Sequence, residues 1–226
     1  MITSKQVSDF KESFCNENKI IPIILKEEFE SLVESPILDV GSGLGEISSF
    51  AFEDKEVIHI DTEDYSKSPI AEKYTRIVGN FFEYKPENQI RTILLSHVLQ
   101  FIDDNTEKID EKIQEINPEK IIVVRNTNDD FMGKLLEWFD KQNILSNPER
   151  IISNFPDSYS EEKRVAFVAE LKCPSYEILA EQVSYLWDVG LTDKQNLLLL
   201  GFFKEALPKA EFEIHQEIIL YKNIDS

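Results

Sequence analysis

Asp39, Gly41, Gly43 and Gly45 stand at alternate positions at the end of an apolar run that starts with Ile37-Leu38. Such a run, breaking into spaced glycines, reads as a buried strand entering a tight turn and then a helix. The glycines permit torsions and a close ligand approach that a Cβ would block. Asp39 is placed to accept hydrogen bonds, either from a ligand's cationic amino group or from the turn's own amides. The spacing argues against a dinucleotide, whose turn needs a third glycine where this chain has Glu46, a poor neighbour for a pyrophosphate. Taken alone, the pattern also fits a strand-to-helix turn that holds no ligand.

Three further groups sharpen the ligand. Asp61 ends the apolar run Val57-Ile58-His59-Ile60, roughly twenty residues beyond Gly41, where a carboxylate can accept both hydroxyls of a ribose. Asn80 and Phe81 follow a third run, 74–78. Asn80 can donate to and accept from an adenine edge and Phe81 can offer the ring an apolar face, although the pair also fits an ordinary Gly-Asn turn. Ser96 and His97 follow a fourth run, 91–95. An imidazole ordinarily titrates near neutrality, so His97 suits either proton removal or a lining role. His59, inside its strand, reads as structural.

The elements needed to position these groups follow from the same patterning. Strands over 37–40, 57–61, 74–78, 91–95 and 120–125 alternate with helices over 46–52 and 106–116, the latter stopped by Asn117-Pro118, and with a helix striped by Phe131, Leu135, Trp138 and Phe139. This alternation predicts an α/β fold: a Rossmann-like doubly wound sheet, mostly parallel, with ligands at the carboxyl ends of its strands. Ahead of it we expect a short amphipathic helix carrying Val7, Phe10 and Phe14, a break at Asn16-Glu17-Asn18, and a second helix over 23–33.

The last third departs from the alternation. Residues 147–160 are turn-rich, 164–171 suit a strand or a helix, a helix opens at Pro174 and runs through Trp187, and Thr192 with Gln195 caps another. Tyr185 and Trp187 could wall a pocket or fill core. A final strand over 212–221 is expected to insert antiparallel. The whole reads as a single domain: an N-terminal helical lid (1–35), a ligand-binding core (36–145), an inserted cap (146–210) and a closing strand (211–226).

Composition narrows the partners. The 226 residues, 42% hydrophobic, can bury one sizeable core. With 24 basic against 43 acidic side chains, a net charge of -19 opposes a phosphate backbone, so neither nucleic acid nor an anionic membrane is expected as a partner. The same field draws in cationic substrates or simply solubilises the surface. Cys15 and Cys173 are isolated, which suggests neither a metal site nor a disulfide framework and suits a reducing cytoplasm. The apolar stretch 197–203 is too short to span a bilayer. A monomer is favoured.

Beyond single motifs, the segments ILDVGSGLGEI, LLSHVLQFID, IIVVRNTNDDFMGKLLEWF and LTDKQNLLLLGFF resemble the class I S-adenosylmethionine (SAM)-dependent methyltransferases, and among them the histamine N-methyltransferase-like small-molecule enzymes. That resemblance implies SAM as cofactor, no metal, and a small acceptor that is an amine. It implies that Asp39, Gly41, Ser42, Gly43 and Gly45 surround the methionine part. Asp61 with Thr62 would hold the ribose, Asn80 and Phe81 the adenine, while Ser96 and His97 pass beside the sulfonium. Glu17 falls where the histamine enzymes carry an acidic substrate-binding residue, and reads either as an amine-contacting carboxylate or as a solvated loop acid. The last strand, with Glu213 and Ile214, lacks the asparagine pair of those enzymes, which speaks against histamine itself. The reaction implied is an in-line displacement at the methyl carbon, in which the protein aligns the partners and excludes water. An O-methyltransferase and an inactive SAM-binding module are the rival readings.

Overall fold

Short apolar runs bounded by turn residues bury both faces, as central strands of a parallel sheet do. The computed structural model describes residues 14–65, 73–99, 106–127, 131–144, 158–186 and 190–224. Strands β1 (Ile37–Val40), β2 (Val57–Asp61), β3 (Thr75–Val78), β4 (Thr92–Ser96) and β5 (Lys120–Asn126) pair in parallel. With β6 (Tyr159–Lys172) and β7 (Glu211–Asn223) they form a seven-stranded sheet in the order β3-β2-β1-β4-β5-β7-β6, mostly parallel with an antiparallel last strand, as expected. The order reverses between β1 and β4, and the ends of these two strands form the switch point at which open α/β sheets bind ligands.

The helices are α1 (Glu17–Ile24), α2 (Glu46–Ala51), α3 (Thr106–Ile116), α4 (Phe131–Lys141), α5 (Tyr176–Leu186) and α6 (Asp193–Ala206). α6 opens on the expected capping box, Thr192 and Gln195 each bonding back to the other's backbone. The expected break is present but falls at Cys15-Asn16, and the helix expected over 23–33 starts earlier. The Asn16 carbonyl accepts from the amides of Lys19 and Ile20 and launches α1 at Glu17, which then widens into a π-helical turn at Leu25–Phe29 and a 3-10 turn at Glu30–Leu32. The segment 164–171 is strand, part of β6, so the expected cap region contributes a strand to the sheet besides helices α5 and α6. The expected opening helix through Val7 and Phe10, the Tyr185 side chain and Trp187 lie outside the described residues. Among the described residues no helix is long and apolar enough to cross a membrane.

The chain groups into two compact units. One comprises Ile21–Arg125, Arg150–Ala166 and Glu217–Ser226. Its core joins Leu38, Val40, Ile60, Ile93, Leu95 and Val123 from the strands to Ile109 and Ile113 of α3. In this unit the buried Glu217 of β7 accepts from Arg125 Nε of β5 at 2.7 Å and from Arg164 of β6, so a paired charge ties the three strands. The other unit comprises Met1–Ile20, Asn126–Glu149 and Phe167–Gln216, with Leu135 and Phe139 of α4, Leu179 and Val183 of α5, Leu199 and Phe203 of α6 and Phe212 of β7 in its core.

Candidate functional site

β1 delivers the chain to a turn whose three glycines have φ of 64°, 54° and 80°, all in the left-handed region. The turn is tied down by hydrogen bonds from Gly41 N to Ile60 O (2.9 Å), from Gly45 N to Ser42 O (2.8 Å) and from Gly43 N to Asp61 Oδ2 (2.8 Å). Its two ends are packed and its middle is open: a Cβ at Gly41 would lie 2.4 Å from Val98 Cγ2. A Cβ at Gly45 would lie 2.3 Å from the His59 ring, whereas one at Gly43 would meet nothing within 4 Å. Among the described residues the turn is therefore packed at Gly41 and Gly45 and open at Gly43 between them.

Below the turn lies a polar cluster that the sequence reading only partly foresaw. Asp39, expected at a ligand's amino group or the turn's amides, is 3% exposed and instead accepts from the hydroxyl of Ser48 on α2 at 2.5 Å. Ser48 Oγ also lies 3.2 Å from His59 Nε2, and the His59 ring stacks on Tyr74. Burial, joined by the nearby Asp61 charge, pushes the Asp39 carboxyl up to about 7, against the Ser48 hydrogen bond and Arg76. Burial and the Arg76 charge push His59 down to about 4. His59 is thus the structural residue expected, a neutral ring under the turn.

These two shifts act on stability in opposite directions. Folded His59 binds fewer protons than the unfolded chain between about 4 and 6.5, so its contribution rises with pH there. Folded Asp39 keeps a proton that the unfolded chain releases above 3.8, so its contribution falls up to about 7. The two slopes oppose each other in the wild type. Asp39→Asn is expected to unmask the histidine, making the melting temperature climb more steeply between pH 4 and 6.5 than it does in the wild type. Parallel curves for the two proteins would refute the assignment.

Around the turn stand the other candidates. Asp61 ends β2 and also accepts from Glu63 N at 3.0 Å through Oδ1. Thr62 beside it is exposed. Asn80 is exposed, and its Oδ1 accepts from Phe82 N at 2.9 Å, the Asx turn of an ordinary Gly-Asn corner; its Nδ2 group is the part that faces other duties. Phe81, expected as an apolar wall, is 6% exposed and packs in the core beside Phe82. Ser42, after β1, and Ser96, at the end of β4, each hold a buried hydroxyl with no hydrogen-bond partner among the described residues, on either side of the switch point. Buried hydroxyls are nearly always satisfied, so this pair suits a polar ligand. His97 follows with a left-handed φ of 51°, its amide bonded to Val124 O.

Glu17 belongs to the other unit. It is not a solvated loop acid: it begins α1, is 5% exposed, and accepts from Gln216 Nε2 at 2.9 Å, while the same amide donates to Asn126 Oδ1 at 3.0 Å. Gln216 Oε1 is buried without a partner among the described residues. Sequence reasoning missed Asn126 and Gln216, as it missed Ser48 and Arg76. The signal was present for Gln216, a polar residue at an inward position of β7; nothing in the half-exposed run of β3 marked Arg76.

No protein-family model matches this chain, and no curated protein matches it. Solved structures do. The N-methyltransferase NodS from Bradyrhizobium japonicum superposes with a TM-score of 0.52 at 10% identity, covering 92% of this chain and 95% of that one. The fold is that of the class I methyltransferases. The same methyltransferase fold aligns with a cyclopropane-fatty-acyl-phospholipid synthase-like protein from Lactobacillus casei, at a TM-score of 0.57 and 11% identity over 97% of this chain and all of the other. It also aligns with the Haemonchus contortus phosphoethanolamine N-methyltransferase 2, whose structure holds phosphomonomethylethanolamine and S-adenosylhomocysteine, at a TM-score of 0.51 and 15% identity. That match covers 98% of this chain and 57% of the other. At these identities the likeness is one of fold.

Proposed function

We propose that this chain is a SAM-dependent methyltransferase acting on a small-molecule amine. The observation that carries the reading is the glycine turn at the switch point, open at Gly43 and flanked by the Asp61 carboxylate and by two buried hydroxyls without partners among the described residues, Ser42 and Ser96. These groups fit an adenosyl amino acid. The carboxylate can accept ribose hydroxyls, the missing Cβ of Gly43 leaves room beside the backbone, and the hydroxyls can meet a ligand's polar atoms. Asn80 Nδ2 can donate to a base edge, with Phe81 anchoring that corner in the core.

SAM would supply a methyl carbon already activated by the sulfonium charge. The protein's part is to align the acceptor and exclude water. Glu17, held by Gln216, is the carboxylate we assign to an acceptor's ammonium group, in line with the resemblance to histamine N-methyltransferase-like enzymes and with the acidic charge. An amine that arrives neutral needs no base; His97 is the candidate base for an acceptor that must lose a proton first.

The test is a calorimetric titration with SAM, followed by incubation with a panel of amines, phenols and carboxylic acids and detection of S-adenosylhomocysteine. We expect micromolar binding, turnover on an amine, and a KM for that amine at least tenfold higher in Glu17→Gln. Turnover on phenols or acids alone would move the acceptor to oxygen. Folded protein that binds no SAM would end the reading altogether.

A further inference from the structure

We infer that Arg76 is a positioning residue that clamps the glycine turn in its ligand-ready form from two strands away. Its role in ligand affinity rests on the proposed SAM site; its role in the turn does not. The β1–Gly45 turn places three left-handed glycines within five residues, and glycine loses more conformational freedom on ordering than any other residue. Such a turn needs restraint from outside itself. Arg76 supplies it from β3, which is separated from β1 by β2. Its Nη1 donates to Gly43 O at 2.8 Å and its Nη2 to Leu44 O, so one planar guanidinium holds two successive carbonyls.

The same glycine is held at its other end by an opposite charge. Gly43 N donates to Asp61 Oδ2, and its carbonyl accepts from Arg76, so the one residue whose missing Cβ faces open space is tethered on both sides. The guanidinium is itself fixed: it is half-buried, sits 5.9 Å from the centre of the Tyr65 ring, and interacts electrostatically with Asp39 and Asp61. Restraint of this kind lowers the ordering cost that ligand binding would otherwise carry. A lysine is long enough to bring a charge there but cannot present two parallel N–H groups to neighbouring carbonyls.

The experiment compares wild type, Arg76→Met and Arg76→Lys in two assays. Amide hydrogen exchange on the ligand-free protein reads the clamp directly. In Arg76→Met the amides of Gly43 and Gly45 should exchange at least tenfold faster, while amides of β4 and β5 stay within twofold. Titration with SAM and with S-adenosylhomocysteine reads the consequence: both affinities should fall by at least tenfold and by the same factor. Arg76→Lys should recover only a minor part of either effect. Unchanged exchange at Gly43 and Gly45 would overturn the clamp, and full recovery by lysine would reduce Arg76 to a charge and overturn the two-carbonyl hold. If Arg76→Met fails to fold, the lysine variant decides by the same criteria. If wild type binds no SAM, the proposed function falls, and the exchange data alone still decide the clamp.

Discussion

Replacing Asp61 with alanine is expected to weaken SAM binding by about 100-fold while leaving the protein folded. The carboxylate accepts from Gly43 N at 2.8 Å and Glu63 N at 3.0 Å, which aims it at the switch point and leaves lone pairs for a diol. A hydrogen bond to a charged group contributes about 1.5–3 kcal/mol, so loss of two ribose contacts removes about 3 kcal/mol or more, which is about 100-fold in affinity. The structural cost is smaller, because the site is only half-buried and water can replace the carboxylate at both amides. Calorimetry with SAM and thermal unfolding without it measure the two effects separately. An unchanged dissociation constant would take Asp61 out of the ribose role. Asp61→Asn should fall between the two, since the amide keeps one acceptor oxygen and loses the charge.

The second large effect is a crossed pair of glycine substitutions. In Gly45→Ala the new methyl group would sit 2.3 Å from His59 Cε1, 2.4 Å from His59 Nδ1 and 2.9 Å from Arg76 Nη2, on a backbone with φ of 80°. Overpacking of this kind costs about 1–3 kcal/mol and the left-handed torsion about 1–2 kcal/mol more. For a chain of this length that corresponds to a melting temperature lower by about 10 °C. In Gly43→Ala the methyl group points into open space, so only the torsional strain of about 1 kcal/mol remains. That space is where the cofactor is proposed to lie, and SAM binding in Gly43→Ala should drop by at least tenfold. Equal losses of stability in the two variants would contradict the difference between the packed Gly45 and the open Gly43.

The proposed acceptor contact is built within the other unit. Glu17, Asn126 and Gln216 come from three distant parts of the chain, and the Gln216 amide donates to both of the others, which among the described residues leaves Gln216 Oε1 as a buried acceptor in need of a donor. Any N–H or O–H of an acceptor meets that need, so the proposal of an amine rests on the Glu17 carboxylate, which suits an ammonium group.

Much of this protein was determined locally. Runs such as Ile37–Val40 and Val57–Asp61 carry their burial in their composition, and Asn117-Pro118 stops α3 by steric necessity, so strands, helices and the strand-end position of Asp61 and Ser96 were legible before any fold was seen. Their alternation also dictated the doubly wound sheet, since parallel strands joined by helices leave few other arrangements. What tertiary structure alone decided was which polar side chains meet. Asp39 was exposed or buried according to where α2 laid Ser48, nine residues away. Arg76 reached the glycine turn because the register set His59 opposite both Asp39 and Arg76. Gln216 found Glu17 across 199 residues. A single side chain carries no mark of its partner when the partner is chosen by strand order and register, and those depend on the whole chain at once.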